Sequence, residues 1–280
     1  MPAVRFSRIL LAAILAPGWC GLASGCGRGA PGSLTDQGPS VGDLPAAGLV
    51  AEEPSISGRV LLMGGRPSTL GRQFDVSSHA YCSAHGTVTD STWKVSADGG
   101  LSDVVIAVQG SPRASNLPDS PVLVDQVDCQ YLPTTVVLQA GQSLCVRNSD
   151  ETFHNVRLVR HREGTALEGE NMLNVGQPGR GDQMIQPLVQ PGIYRLECDI
   201  HRWMRAWVVV HEGIHAAVSD AEGHFALNRA LADGEYHVTA WHPRFKNPVS
   251  QNVQIVNGRA EVDFHFDLAD AFPEIENPAF

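Results

Sequence analysis

Short runs of alternating apolar and polar residues fill the chain from Ser55 to His211. They read SISGRVLLM, TWKVS, LSDVVIAVQ, PVLVDQV, TTVVLQ and SLCVRN, then HNVRLV, GIYRLEC and RAWVVVH. Period-two alternation puts successive side chains on opposite faces, so each run predicts a strand with one buried face. Gly64-Gly65, Asp98-Gly99-Gly100 and Ala140-Gly141 punctuate these runs as turns. After His211 the pattern restarts as AAVSD, HFAL, EYHVTAW, SQNVQIV and AEVDFHF, with turns at Asp220–Gly223 and at Asp233-Gly234. So many strands in so short a stretch predict a small second sandwich. No long helical period and no internal repeat interrupts the pattern. The expectation is an all-β protein with a sandwich over 55–211, in which a β-rich N-terminal extension packs on a core at about 135–211. A second β-sandwich is expected over 212–268, followed by a tail over 269–280.

Composition agrees with many strands and turns: the chain has 28 Gly and 18 Pro, and only 18% of it is charged. The formal charge of −10 would repel a phosphate backbone, and the basic residues are scattered singly, so nucleic acid is not an expected partner.

The first 26 residues read as an export signal. Arg5 and Arg8 form a basic start, Ile9–Ala16 an apolar run too short to span a bilayer, and small residues follow at Gly21–Gly25. Leu22-Ala23-Ser24-Gly25-Cys26 resembles a bacterial lipobox, with Ala23 where a larger aliphatic residue is usual. Lipidation at Cys26 and cleavage by the general signal peptidase are the two readings. Any membrane contact is expected through that N-terminal anchor alone. Residues 27–54, rich in Gly, Pro, Ala and Ser without periodicity, have the composition of a flexible tether. Either reading predicts a protein outside the cytosol, where disulfides persist.

The densest chemistry is Cys198-Asp199-Ile200-His201-Arg202-Trp203-Met204, a CxxHxxM motif between two predicted strands. A thiolate, an imidazole and a thioether so close together match the preferences of copper, and Met is a poor zinc ligand. A second histidine comes from Phe153-His154-Asn155-Val156, at the start of a strand that follows Leu144–Asn148. Two loops at one end of a sandwich could then converge. A His₂Cys set with a weak axial Met is the arrangement of mononuclear type 1 copper.

Six cysteines need places. Cys20 and Cys26 belong to the signal or anchor; Cys82, Cys129, Cys145 and Cys198 remain. With Cys198 on the metal, one bridge and one free thiol are the most that can form. The expected pair is Cys82 with Cys129, with Cys145 as a small apolar group facing away from Leu144 and Val146. The competing reading pairs Cys198 with Cys145 or Cys129. A second CxxH, Cys82-Ser83-Ala84-His85, has no companion ligands.

In these features the chain resembles the cupredoxins, the plastocyanin-like family. The resemblance rests on Gly141 to Asn148 (GxxLxVxN), His154-Asn155-Val156, and YxxxCxxHxxM over 194–204, and covers about residues 135–211. The two-residue spacing between His201 and Met204 is closer to that of amicyanin than to the longer plastocyanin loop. The resemblance implies a Greek-key β-sandwich with His154, Cys198 and His201 as equatorial ligands and Met204 as the axial one. It implies that Asn155 pins the two ligand loops together and that the edge of His201 reaches the surface as the electron port. Arg202, Trp203 and Arg205 would surround that port and help dock a partner. Separately, VxDxxGxF over 218–225 and DGEYxVxAW over 233–241 resemble the carboxypeptidase regulatory-like (transthyretin-like) domains. The whole order resembles exported bacterial plastocyanin-like proteins.

Four ligands leave no open position for substrate, and there is no CxxCH haem motif, phosphate loop or GxSxG elbow. The expectation is an exported, non-enzymatic one-electron carrier serving a redox partner protein of unspecified identity. The alternative is a cell-surface binding or structural sandwich in which copper is stabilising or vestigial. Copper delivery is a weaker third, because Met172 and Met184 alone hardly provide an exchangeable cluster.

Overall fold

The computed structural model describes residues 54–273 except Ala114, Asp182 and Arg229. The export segment, nearly all of the tether and the last residues of the tail lie outside the described residues. No described helix is long and apolar enough to cross a membrane.

The described chain is built from β-strands, as the alternation predicts. In order they are β1 (Ile56–Met63), β2 (Val105–Val108), β3 (Val122–Val127), β4 (Gln130–Leu132), β5 (Thr135–Gln139) and β6 (Ser143–Asn148). Next come β7 (His154–His161), β8 (Gly169–Gln177), β9 (Gln183–Pro187), β10 (Gly192–Glu197) and β11 (Arg205–His211). The last group is β12 (Ala216–Val218), β13 (His224–Leu227), β14 (Gly234–Trp241), β15 (Val249–Ile255), β16 (Ala260–Glu261) and β17 (Phe264–Asp267). A short helix, α1 (Ala80–Ala84), interrupts the region between β1 and β2.

Two sheets, ordered β5-β11-β10-β7-β8 and β4-β3-β6-β9, enclose one core that includes Leu144, Val146, Leu158, Leu196 and Val208. Two more, β13-β1-β16 with β17 beside β1, and β12-β2-β14-β15, enclose a second core around Ile106, Val238, Ile255, Phe264 and Phe266. Each such large apolar side chain contributes about 1.5–3 kcal/mol on burial.

The sheets divide the chain differently from a cut at residue 211. β1 pairs with β13 through Ile56↔Leu227 and with β17 through Val60↔Phe264, and β2 lies between β12 and β14. The second sandwich therefore takes strands β1 and β2 from the N-terminal extension, the extension's strands from Val122 onward join the first, and Val76, Cys82 and Val88 between β1 and β2 also pack into the first core. Alternation identifies a strand but carries no label for its neighbour, and pairing distant segments costs entropy that grows only slowly with loop length. Two glycines mark the junction. A Cβ at Gly58 would stand 1.8 Å from the Val262 carbonyl oxygen, and one at Gly223, where φ is +83°, would stand 2.4 Å from that of Val60.

Two smaller departures have similar causes. TWKVS contributes a single bridge, Val95↔Leu101, because Trp93 turns into the second core and the chain bends there. β8 carries the sequence GENMLNVGQ, mostly exposed, so its pattern gave no apolar face to read.

Candidate metal centre

β7 and β10 are antiparallel neighbours, with Leu158 opposite Leu196 and Arg157 opposite Glu197. This register brings the start of β7, carrying His154, to the same sheet end as Cys198, the residue after β10. The turn before β7 is shaped by Asn148, whose Nδ2 donates to the Thr152 carbonyl at 2.9 Å and whose Oδ1 accepts from the Asp150 amide at 2.9 Å. The 198–204 loop is closed by the Met204 amide donating to the His201 carbonyl at 2.8 Å and by the Cys198 amide donating to that of Met204 at 3.4 Å.

Within this frame, one donor atom from each of His154, Cys198 and His201 lies within 4.8 Å of the others. The two Nδ1 atoms are 2.9 Å apart, and Cys198 Sγ is 3.8 Å from His201 Nδ1. All three side chains are buried, and Met204, 2% exposed, lies in the same core cluster as Cys198. Asn155 bridges the loops: its Oδ1 accepts from the Asp199 amide at 2.7 Å and from Cys198 Sγ at 3.4 Å. Tyr131 Oη is shared between the carbonyls of Asn155 and Glu197, at 3.1 and 3.3 Å, which ties the strands beneath the site.

The electrostatics favour a thiolate. Burial pushes the Cys198 thiol up, but hydrogen bonds from His154 and His201 and from the Asn155 and His201 backbone outweigh it and bring it down to about 6. His154 Nε2 donates to Asp150 Oδ2 at 2.8 Å, so a neutral His154 presents an unprotonated Nδ1 to the centre. Asp150 also accepts from the backbone amides of Asp128 and Cys129, at 2.8 and 2.9 Å. Burial works against its charge, yet these bonds hold the carboxyl below the usual range. His154 is in turn raised: burial lowers it, and its bonds to Asp150 and Cys198 more than compensate. Nothing in the sequence marked Asp150, beyond its standing four residues before the candidate ligand His154.

The cysteines settle as follows. Cys82 and Cys129 form a disulfide with Cα atoms 5.6 Å apart, while Cys145 and Cys198 are free and buried. The competing pairing of Cys198 is therefore excluded. The sulfurs of the bridge lie within 4.8 Å of a donor atom of His201, an adjacency that the linear spacing did not reveal.

His201 is not a surface port. It is only 3% exposed, enclosed by the rings of His154 at 4.7 Å, His79 at 4.8 Å and Trp203 at 5.2 Å between centroids. His79 stands at the N-terminal end of α1, and this part of the extension is stapled beside the 198–204 loop by the disulfide. Trp203 is buried too, and its indole donates to the Cys129 carbonyl at 2.9 Å. Arg205 is turned toward Glu197 rather than arrayed around a port; Arg202 is exposed.

No protein-family model matches the chain, and no curated protein is recovered as a relative. Among solved structures, a copper-containing nitrite reductase from Thermus scotoductus is 21% identical, with a TM-score of 0.29 over 36% of this chain and 25% of that one. A methionine-to-alanine mutant of amicyanin in the Cu(I) form is 21% identical, with a TM-score of 0.28 over 38% of this chain and 98% of its own. A purple cupredoxin from Nitrosopumilus maritimus is 18% identical, with a TM-score of 0.26 over 32% of this chain and 99% of its own. The chain thus spans a quarter of the reductase's length. At these scores the functional case stands on the geometry of the site.

Proposed function

We propose that this chain is an exported one-electron carrier with a single mononuclear type 1 copper held by His154, Cys198, His201 and Met204. The observation that carries the proposal is the buried trio of a low-pKa thiolate and two imidazoles, one of them oriented by Asp150. This soft and borderline donor set suits copper, which would supply a one-electron couple between Cu(I) and Cu(II). Cys198 offers the thiolate, and His154 and His201 offer Nδ1 atoms 2.9 Å apart. Asn155 and Tyr131 hold the loops so that the donors need not rearrange.

All four side chains are at most 3% exposed, which leaves substrate no route to the centre and favours a non-enzymatic role. With His201 covered, the half-buried His79 is the next ring outward, and a redox partner would dock over that cap. The segment that carries the donors is the less negative part of the sequence: residues 154–211 hold seven Arg against six acidic residues. Export and an N-terminal tether or lipid anchor complete the reading, supported by the pattern of the first 54 residues.

The test is to add one equivalent of Cu(II) to the purified full chain and record visible absorption before and after reduction. An intense charge-transfer band that bleaches reversibly, and is lost in Cys198→Ser, supports the carrier. A colourless complex, or a band unchanged in Cys198→Ser, sinks it in favour of a sandwich whose metal is incidental.

A further inference from the structure

A second feature lies beside the copper loop, where the two sandwiches and the extension meet. A cavity of about 70 Å³ is lined by Arg72, Thr135, Arg202, Trp203, Arg205 and Arg244 among others. The space is large enough for a small polyatomic occupant rather than a single water.

The charge of the lining is unbalanced. Four arginines face two carboxylates, Asp90 and Asp103, and both carboxylates are already engaged. Asp90 is paired with Arg72 at 2.5 Å, and Asp103 with Lys94 at 3.0 Å and with the Thr134 hydroxyl at 2.6 Å. Arg244 donates to the carbonyls of Phe272 and Pro273, at 2.7 and 3.2 Å, and its guanidinium lies over the Trp93 ring.

The Arg205 side chain has one carboxylate partner, Glu197, held at long range. Its Nε is buried without an acceptor, and its nearest carboxylate oxygen, Glu197 Oε1, is 3.5 Å away. Glu197 also serves Arg195 and Arg157, so three guanidinium groups share one carboxylate, with Asp199 reaching only Arg157. Arg202 has neither an ion pair nor a hydrogen bond among the described residues. The Thr135 hydroxyl is likewise buried without a partner. An otherwise acidic protein has gathered surplus guanidinium groups around a small concavity, and guanidinium pairs best with the paired oxygens of an oxyanion.

We propose that this cleft binds a small oxyanion, a short carboxylate or an inorganic oxyacid anion, held by Arg202 and Arg205. The site does not require copper. Its occupant would lie one side chain, Trp203, away from His201.

The test is calorimetric titration of the full chain with sodium sulfate, nitrate and acetate at constant ionic strength, with chloride as background. The expected result is a single saturable site with Kd below about 10 mM for at least one of them. The order of affinities separates inorganic anions from carboxylates. Arg202→Gln and Arg205→Gln should each weaken binding at least about tenfold, while Arg113→Gln, a surface residue paired with Glu212, should not. Circular dichroism checks folding; if Arg205→Gln misfolds, the exposed Arg202→Gln decides. No saturation by any of the three anions, or undiminished affinity in the folded Arg202 and Arg205 variants, overturns the proposal.

Discussion

Replacing Asp150 with Asn probes how the protein prepares His154 for a metal. The carboxylate accepts four bonds, from His154 Nε2, from the amides of Asp128 and Cys129 and, at 3.4 Å, from the Tyr81 hydroxyl. A carboxamide has a single acceptor oxygen and turns two donors toward groups that are themselves donors. Leaving one buried donor unsatisfied costs about 1–3 kcal/mol, and at least one is stranded here. Loss of a partner that orients a ligand histidine typically lowers metal affinity about 10–100-fold, roughly 1.4–2.7 kcal/mol. Asp150→Asn should therefore lower metal-free stability by about 2 kcal/mol in urea unfolding and weaken copper at least about tenfold in a chelator competition.

The pH profile adds a sign. Asp150 has a folded pKa below its unfolded value of about 3.9, so its contribution is present above that pH and is lost as pH falls through the folded value. His154 has a folded pKa above about 6.5, so its contribution is complete below that pH and is lost as pH rises through the folded value. Metal-free stability from the pair should thus plateau between about pH 4 and 6.5, and the plateau should shrink in Asp150→Asn. Copper affinity within twofold of the parent, with an unchanged pH profile, would refute the orienting role.

Other outcomes follow from the same physics. Removing the Cys82–Cys129 bridge opens a loop with a sequence separation of 47, so Cys82→Ser with Cys129→Ser should cost about 4 kcal/mol in urea unfolding and make His201 more reactive toward imidazole reagents. His242, packed between Trp93 and Phe245, is pushed down to about 3 by burial and by Arg244. Its folded pKa lies below the unfolded one, so stability should fall as pH drops below about 6.5, by about 1.4 kcal/mol per unit at the steepest. His242→Gln should flatten that acid limb in melts from pH 7 to 4. Met204→Leu should keep a coloured copper site with a raised potential in a redox titration, because a weak axial donor tunes the site more than it builds it.

The sequence was informative where chemistry or periodicity is local. The alternation of SLCVRN, HNVRLV, GIYRLEC and RAWVVVH predicts strands that the structure contains, and CxxHxxM with His154 names side chains that the fold brings together. The role expected of Asn155 also has its geometry, since one oxygen meets both Cys198 and Asp199. What could not be read depends on long-range pairing. β1 and β2 alternate like strands of any sandwich, and only contacts with residues more than a hundred positions away assign them to the second. The burial of His201 is set by His79 and the disulfide, from a segment that departs from the cupredoxin pattern, so a resemblance covering residues 135–211 carried no information about it. The arginine surplus beside Trp203 likewise exists only once residues from 72 to 244 converge.

The central claim is that Cys198 binds copper as a thiolate in a mononuclear site. Electron paramagnetic resonance of the full chain loaded with one equivalent of Cu(II) tests it most directly. The account predicts one mononuclear signal with the narrowed parallel hyperfine splitting of spin delocalised onto sulfur, abolished in Cys198→Ser. A wide splitting typical of tetragonal nitrogen and oxygen ligation, or a signal indifferent to Cys198→Ser, would contradict it.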